Sequence, residues 1–299
     1  MKFVDKKYNF LKPTRTPNLV RLGRNHDGGY VVDSEIIKQC NILITFGLGP
    51  DWSFELDYIK KNKEIEIYIY DHTVSSYPYI KEIIKYFRRF ITFRATFESV
   101  ANRVKYLSNY KSFLNFKNVN YFKEKITFPI KKKIDTDVEK VFSRIDKSGD
   151  VVLKCDIDGG EYKIIDGILE YSSRIKMLIF EFHLVDNNEE NFYNSIKKIQ
   201  DYFEIIHIHG NNHFSKLDSG LPFILEITLI NKKYAPKNSE HINNFPIQGL
   251  DYPNNPYKKD LSFSFSPWSI CNQKLEILGK VELSTIVKST KKRSVAMCN

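Results

Sequence analysis

The chain has 299 residues, 42% of them apolar and 14% aromatic, with a formal charge of +10. That balance supports a sizeable core in one α/β domain with elaborations and excludes a disordered chain. With no apolar run of roughly 18 residues and no apolar signal core within Met1 to Leu11, the expectation is a cytoplasmic protein without a transmembrane helix.

The first 41 residues read as a lead-in, in which Asp27-Gly28-Gly29-Tyr30-Val31-Val32 predicts a tight turn entering a short strand. Strands and helices then alternate. Ile42–Phe46 is an apolar strand followed by Gly47-Leu48-Gly49, and Trp52–Lys61 has the spacing of a helix. Ile65–Tyr70 is a second strand ending at Asp71. A long basic stretch from about Tyr79 to Phe113 predicts helix. Val119–Ile126 reads as a third strand, and Thr136–Ile145 as a helix capped by Thr136. Val151–Ile157 is a fourth strand buried on both faces, followed by a helix over Glu161–Tyr171. Ile175–Phe182 is the fifth strand and Glu189–Phe203 a helix. Ile205–His209 and Phe223–Ile230 complete the set, with only a polar loop between them. Seven strands interleaved with helices predict a mostly parallel sheet covered on both faces. The missing helix between the last two strands predicts a hairpin, so the final strand runs antiparallel. Residues 232–299 are richer in Asn and Pro and read as a partly irregular extension, its last thirty or so residues poorly ordered.

Two global features complete this reading. Cys40, Cys155, Cys271 and Cys298 have neither metal-type spacing nor a paired framework, and the first two read as reduced core thiols. Between Lys81 and Lys133 stand 14 Lys/Arg against three acids, a local excess as large as the whole net charge. Such a segment is either a solvated face or a surface for an anionic partner: a charged glycan, a sugar nucleotide, a membrane surface or a nucleic acid. Charge alone does not choose among them.

Ligands of open α/β sheets bind at the carboxyl ends of the strands, so the chemistry is sought there. After the first strand, Gly47, Leu48 and Gly49 allow close backbone approach, but Trp52 stands where a dinucleotide loop needs a third glycine. After the second, Asp71 is placed to accept from ribose hydroxyls, or else to cap the next helix. Together they point to a nucleoside cofactor without a strong pyrophosphate grip. S-adenosylmethionine fits better than NAD. After the fourth strand come Asp156, Asp158 and Glu161. The two aspartates share a face while the strand stays extended, and Glu161 falls in the first helical turn, where the dipole favours an anion. The fifth strand ends in Glu181-Phe182-His183, whose Glu and His alternate onto one face, either as an acid–base or substrate-orienting pair or with His183 as a hydrogen-bonded packing residue. The sixth leads into His207-Ile208-His209-Gly210-Asn211-Asn212-His213, read as a polar substrate loop suited to sugar hydroxyls or as a plain turn.

Lys154-Cys155-Asp156-Ile157-Asp158-Gly159-Gly160-Glu161-Tyr162 resembles the signature of FkbM-type methyltransferases, with Asp158 where that family usually has Glu. Phe180-Glu181-Phe182-His183 looks like the strand that follows in that family, and Arg21-Leu22-Gly23 with Asp27-Gly28-Gly29-Tyr30 and the His-Ile-His-Gly-Asn-Asn stretch are similar to its bacterial sugar-modifying members, the resemblance running over about Val20 to Ile230. The resemblance implies a Rossmann-like class I methyltransferase fold, S-adenosylmethionine as donor, and O-methylation of a carbohydrate: a polysaccharide, glycan or sugar nucleotide. The basic insertion at about 79–118 and the tail depart from the minimal family domain.

On this reading His183 or Asp158 is the base and Glu181 orients it. Gly47, Leu48, Gly49, Asp71 and Asp156 contact the cofactor, and Asp27 and Tyr30 cover its methionine end. His207, His209, Asn211 and Asn212 meet the acceptor. No metal is expected, although a divalent cation at Asp156 and Asp158 is chemically compatible. A nucleic-acid acceptor, and a non-catalytic binding protein of the same fold, are the rival readings.

Overall fold

The structure is a computed structural model that describes residues 3–183, 189–237 and 240–266. Cys271, Cys298 and the last thirty residues lie outside the described residues.

The chain enters through a two-stranded antiparallel ribbon, β1 (Leu19–Leu22) and β2 (Tyr30–Asp33), with the Asp27-Gly28-Gly29 turn between them. Helix α1 (Ser34–Gln39) starts where Asp33 accepts from the backbone N–H groups of Glu35 and Ile36. The main sheet then begins with β3 (Ile42–Phe46), α2 (Ser53–Lys61) and β4 (Glu66–Tyr70). Two helices follow, α3 (Tyr77–Ile91) and α4 (Phe97–Leu114), and then β5 (Val119–Phe122). A small parallel pair, β6 (Lys125–Ile126) and β7 (Asp135–Thr136), precedes α5 (Val138–Ser143). The second half is β8 (Val151–Cys155), α6 (Ile165–Glu170), β9 (Ile175–Phe182), α7 (Glu189–Ile199), β10 (Phe203–Gly210) and β11 (Leu225–Asn231). A last short pair, β12 (Asn244–Phe245) and β13 (Phe263–Ser264), closes the described chain.

The main sheet has seven strands in the order β10-β11-β9-β8-β3-β4-β5. Only β11 runs against the others, pairing antiparallel with both neighbours. This order, reversing beside β3 and carrying one antiparallel strand next to the edge, is that of the Rossmann-like class I methyltransferase fold. Every residue of β3, β8, β9 and β11 is buried, as both faces of a covered sheet require. One face packs Ile36, Phe54, Tyr58, Tyr110 and Phe113 from α1, α2 and α4. The other packs Val138, Ile165, Ile168, Phe192 and Ile196 from α5, α6 and α7.

Several local expectations change. The basic stretch is two helices broken at 92–96, because Phe93 takes a left-handed backbone (φ 54°) and Thr96 caps α4 by accepting from the N–H of Ser99. The predicted third strand leaves the sheet after Phe122, its tail becoming β6. The cap of α5 is Asp137, which accepts from the N–H of Lys140, while Thr136 lies in β7. The fourth strand stops at Cys155, and Asp158 turns to a left-handed φ of 53°, so alternation does not carry Asp156 and Asp158 onto one face. Cys40 and Cys155 are buried free thiols. Among the described residues no helix is long and apolar enough to cross a membrane.

Candidate active site

The loop after β3 turns on Gly47 and Gly49, both at positive φ. A Cβ on Gly47 would stand 1.8 Å from the carbonyl oxygen of Asp156, so no side chain fits between these strand ends. Asp71, just past β4, holds the loop from the other side. Its Oδ2 accepts from the N–H groups of Leu48 (2.9 Å) and Gly49 (3.0 Å). Its Oδ1 accepts from the N–H and hydroxyl of Thr73, both at 2.7 Å. Burial alone raises the Asp71 pKa, but these four bonds together bring it below the usual carboxylate range. Since a carboxylate offers about four lone-pair sites, Asp71 is filled by its own protein. Its geometry is that of a loop organiser, where the sequence suggests a ribose acceptor.

Trp52, which breaks the dinucleotide pattern, is buried against the rings of Tyr106, Tyr110 and Phe113 of α4. The β1–β2 turn leans on the same loop: a Cβ on Gly28 would meet Asp51 Oδ2 at 2.4 Å. Arg24 bridges the two, its Nε 3.1 Å from Asp51 Oδ2 and donating to the carbonyl of Asp27 at 2.7 Å.

These elements enclose a cleft of 380 Å³ lined by Asp27, Gly47, Leu48, Gly49, Asp51, Asp71, Lys154, Asp156 and Asp158, among others. The three turns singled out in the sequence therefore meet in one place. A second cleft of 490 Å³ is lined by Asp27, Asp156, Asp158, Glu181, His183, Asn211, His213, Phe214, Phe223 and Ile224. Asp27, Asp156 and Asp158 belong to both.

In the second cleft His183 is held by Glu161, not by Glu181. Glu161 is fully buried. Its Oε1 accepts from the N–H groups of Ile157 (3.2 Å) and Gly159 (3.1 Å) and lies 3.0 Å from His183 Nδ1. The other ring nitrogen, Nε2, stands 3.7 Å from Asp158 Oδ1 and 3.9 Å from Asp156 Oδ1. Burial opposes a charge on His183, but the Glu161 hydrogen bond and the charges of Glu161, Asp156 and Asp158 outweigh it and raise its pKa.

Glu181 instead sits between Asn211, whose Nδ2 donates to it at 2.7 Å, and the Tyr30 hydroxyl, at 3.4 Å. Tyr30 donates more closely to Asp156, at 2.9 Å. Tyr30 is thus buried beneath the carboxylates and is not a cover of the cleft. Burial, then the neighbouring charges of Asp156 and Glu226, push Glu181 well above the carboxylate range. Burial raises Asp156 too, against the opposing charges of Lys154 and His183. Lys154 is itself buried, 3.4 Å from Glu55 and over the ring of Tyr30. Burial disfavours its charge, but Glu55 and Asp156 raise its pKa, so it stays cationic beneath the acids. Asp156, Glu181 and His183 also present atoms within 4.8 Å of one another, a spacing that could hold a metal ion.

His207 and His209 do not reach either cleft. His207 Nε2 lies 2.9 Å from Asp251. His209 is clamped between Glu226 (3.1 Å) and Asp260 (3.2 Å), all three buried or nearly so. Asn212 donates to the carbonyls of Asn255 and Lys258, fastening residues 251–260 to the sheet end. Of this loop, Asn211 and His213 line the second cleft.

Sequence reasoning placed Glu161 in a helical turn and so missed it as the partner of His183. It also passed over Lys154, although a lone cation in an otherwise apolar strand was a visible signal. Phe214 and Phe223, stacked at 4.8 Å in the second cleft, had no signal in the sequence.

No family model and no curated protein matches the chain. Among solved structures it is similar to a Methanococcus jannaschii fibrillarin pre-rRNA processing protein, with 10% identity over 66% of this chain and 68% of that one and a TM-score of 0.34. It is also similar to a precorrin-6y C5,15-methyltransferase from Geobacter metallireducens GS-15, with 8% identity over 66% of this chain and 84% of that one and a TM-score of 0.35. Likeness at this level says nothing of what the chain binds or acts on.

Proposed function

We propose that the chain is an S-adenosylmethionine-dependent O-methyltransferase of the FkbM type, acting on a carbohydrate hydroxyl. One observation carries the reading: the cleft beside the glycine loop and the cleft holding His183 share Asp27, Asp156 and Asp158 as a common wall. Two reactants held side by side are what a direct transfer needs. Such positioning is worth on the order of 7–11 kcal/mol in good cases.

The donor, when bound, supplies a methyl group already activated on a cationic sulfur. The first cleft suits it. Its lining carries more carboxylates (Asp27, Asp51, Asp71, Glu124, Asp156 and Asp158) than cations (Arg24, Lys125, Lys154 and Lys163), a balance that favours a cationic ligand. Its loop N–H groups at Leu48 and Gly49 are occupied by Asp71, which leaves no backbone cradle there for a diphosphate. A dinucleotide is therefore the poorer fit. Gly47, Leu48 and Gly49 would form the floor, with Asp71 holding them in place.

On the acceptor side, Glu161 takes the Nδ1 proton of His183 in a hydrogen bond and leaves Nε2 to accept the proton of the substrate hydroxyl. Asn211 and His213 offer polar contacts, and the Phe214–Phe223 pair offers a flat apolar surface, the mixture that a sugar ring presents in return.

Calorimetric titration with S-adenosylhomocysteine and with NAD, followed by methyl-transfer assays on a panel of glycans, tests the reading. Micromolar binding of the first, none of the second, and transfer to at least one sugar hydroxyl are expected. Equal binding of both ligands, or transfer to RNA alone, overturns it.

A further inference from the structure

Helix α3 carries a surface that the cleft chemistry does not use. Tyr77, Ile80, Ile84, Phe87 and Ile91 recur at spacings of three and four, and all are exposed. Among the described residues nothing covers this stripe. At the bend into α4, Phe93 is 99% exposed in its left-handed conformation, and Phe90 and Phe97 meet edge to face beside it at 6.0 Å. The opposite side of α3 faces α4, where Tyr86 lies under the guanidinium of Arg103 at 3.8 Å. Between these two sides runs a basic flank of Lys81, Lys85, Arg88 and Arg89, continued by Arg94. The one acid of α3, Glu82, is already paired with Lys85 at 2.9 Å.

From this we infer that the α3–α4 hairpin is a membrane-surface anchor, lying in the headgroup region of an anionic lipid leaflet. An exposed apolar stripe beside a cationic flank matches the layering of such a surface: acyl boundary against Ile and Phe, acidic headgroups against Lys and Arg. Two other occupants fit less well. A second copy of the chain would bring two like-charged flanks together with no free acid on the helix to meet them. A nucleic acid would find the charge and could stack on Tyr77, Phe87 or Phe93, but it would leave the exposed aliphatic side chains of Ile80, Ile84 and Ile91 between those rings without an apolar partner, which an acyl boundary supplies. The anchor has a mechanical consequence. The Tyr79 and Tyr106 hydroxyls of the two helices both donate to the carbonyl of Pro50, at 3.3 and 2.8 Å, so the hairpin is tied to the loop that floors the first cleft. Attachment would set that cleft at a fixed attitude to the membrane. The surface stands whether or not the cleft transfers methyl groups.

The test is co-sedimentation of the full chain with vesicles of phosphatidylglycerol and phosphatidylcholine, and with phosphatidylcholine alone. Sedimentation velocity and an RNA gel-shift run in parallel. Binding to the anionic vesicles is expected, at least tenfold weaker on pure phosphatidylcholine and weakened by added salt. Ile84→Glu with Phe87→Glu, and Arg88→Glu with Arg89→Glu, should each lower it at least tenfold. All four side chains are exposed, so unchanged melting and unchanged S-adenosylhomocysteine binding serve as folding controls. A chain left in the supernatant with anionic vesicles overturns the inference. So does binding that the two double variants leave intact. A dimer or an RNA complex lost in the variants, without vesicle binding, assigns the stripe to that partner instead.

Discussion

Oε1 of Glu161 lies 3.0 Å from Nδ1 of His183, although the two residues are 22 positions apart and belong to different strand ends. Glu161 is fully buried and His183 opens on the second cleft, so the pair has the form of a base and the group that orients it. His183→Ala should lower kcat by about 100- to 10,000-fold, the usual contribution of a positioned base, while S-adenosylhomocysteine affinity stays within a few-fold. Glu161→Gln should lower kcat less and also displace the pH profile. The acidic neighbours raise the pKa of His183, and a base must be neutral, so activity rises with pH through a value above the ordinary histidine range. Removing the Glu161 charge lowers that value, and the acid limb should move to lower pH. A limb that stays in place, measured as kcat against pH, separates structural support from proton handling.

The two glycines of the loop after β3 should respond differently. Gly47→Ala combines a positive φ with a clash at 1.8 Å on the Asp156 carbonyl, whereas Gly49 has nothing within 4 Å of its would-be Cβ. The conformational cost alone is about 1–2 kcal/mol for each. Gly47→Ala should exceed that clearly in chemical denaturation and abolish ligand binding. Gly49→Ala should stay near it.

Asp71 accepts four hydrogen bonds, two of them from the loop N–H groups. Bonds to a charged group are worth about 1.5–3 kcal/mol. Asp71→Ala should therefore weaken S-adenosylhomocysteine binding by about 10- to 100-fold in calorimetry. Asn212→Ala should lower the melting temperature and leave that affinity nearly intact, because Asn212 bonds to carbonyls of residues 255 and 258.

His209 supplies a pH signature of folding. Burial opposes its charge, but Glu226, Asp260 and Asp251 together push its pKa up to about 10. The folded state therefore holds a proton that the unfolded chain releases near pH 6.5. This contribution is complete below about pH 6.5 and is lost as pH rises towards 10. Melting temperature should fall across that window in the native chain and fall less in His209→Gln. The variant itself should be less stable by about 3–5 kcal/mol near neutral pH, since it strands Glu226 without its cation. A native chain and variant with parallel melting curves from pH 6.5 to 10 would contradict the clamp.

The alternation of strands and helices was legible in the sequence because it depends on local hydrophobic period. Ile42–Phe46 and Ile175–Phe182 appear at their predicted limits, and the absent helix after Gly210 foretold the antiparallel β11. The strand-end positions of Gly47, Asp71, Asp156 and His183 followed from the same logic. What the residues at those positions touch did not, since a hydrogen-bond partner is chosen by packing across the sheet. Only the tertiary structure decided that Asp71 is spent on its own loop, that Glu161 rather than Glu181 holds His183, and that His207 and His209 turn from the clefts towards Asp251 and Asp260. Hydrophobic period is a property of neighbours along the chain. The pairing of buried charges is settled between segments far apart in it, where burial leaves each ionic group dependent on whichever partner the fold delivers.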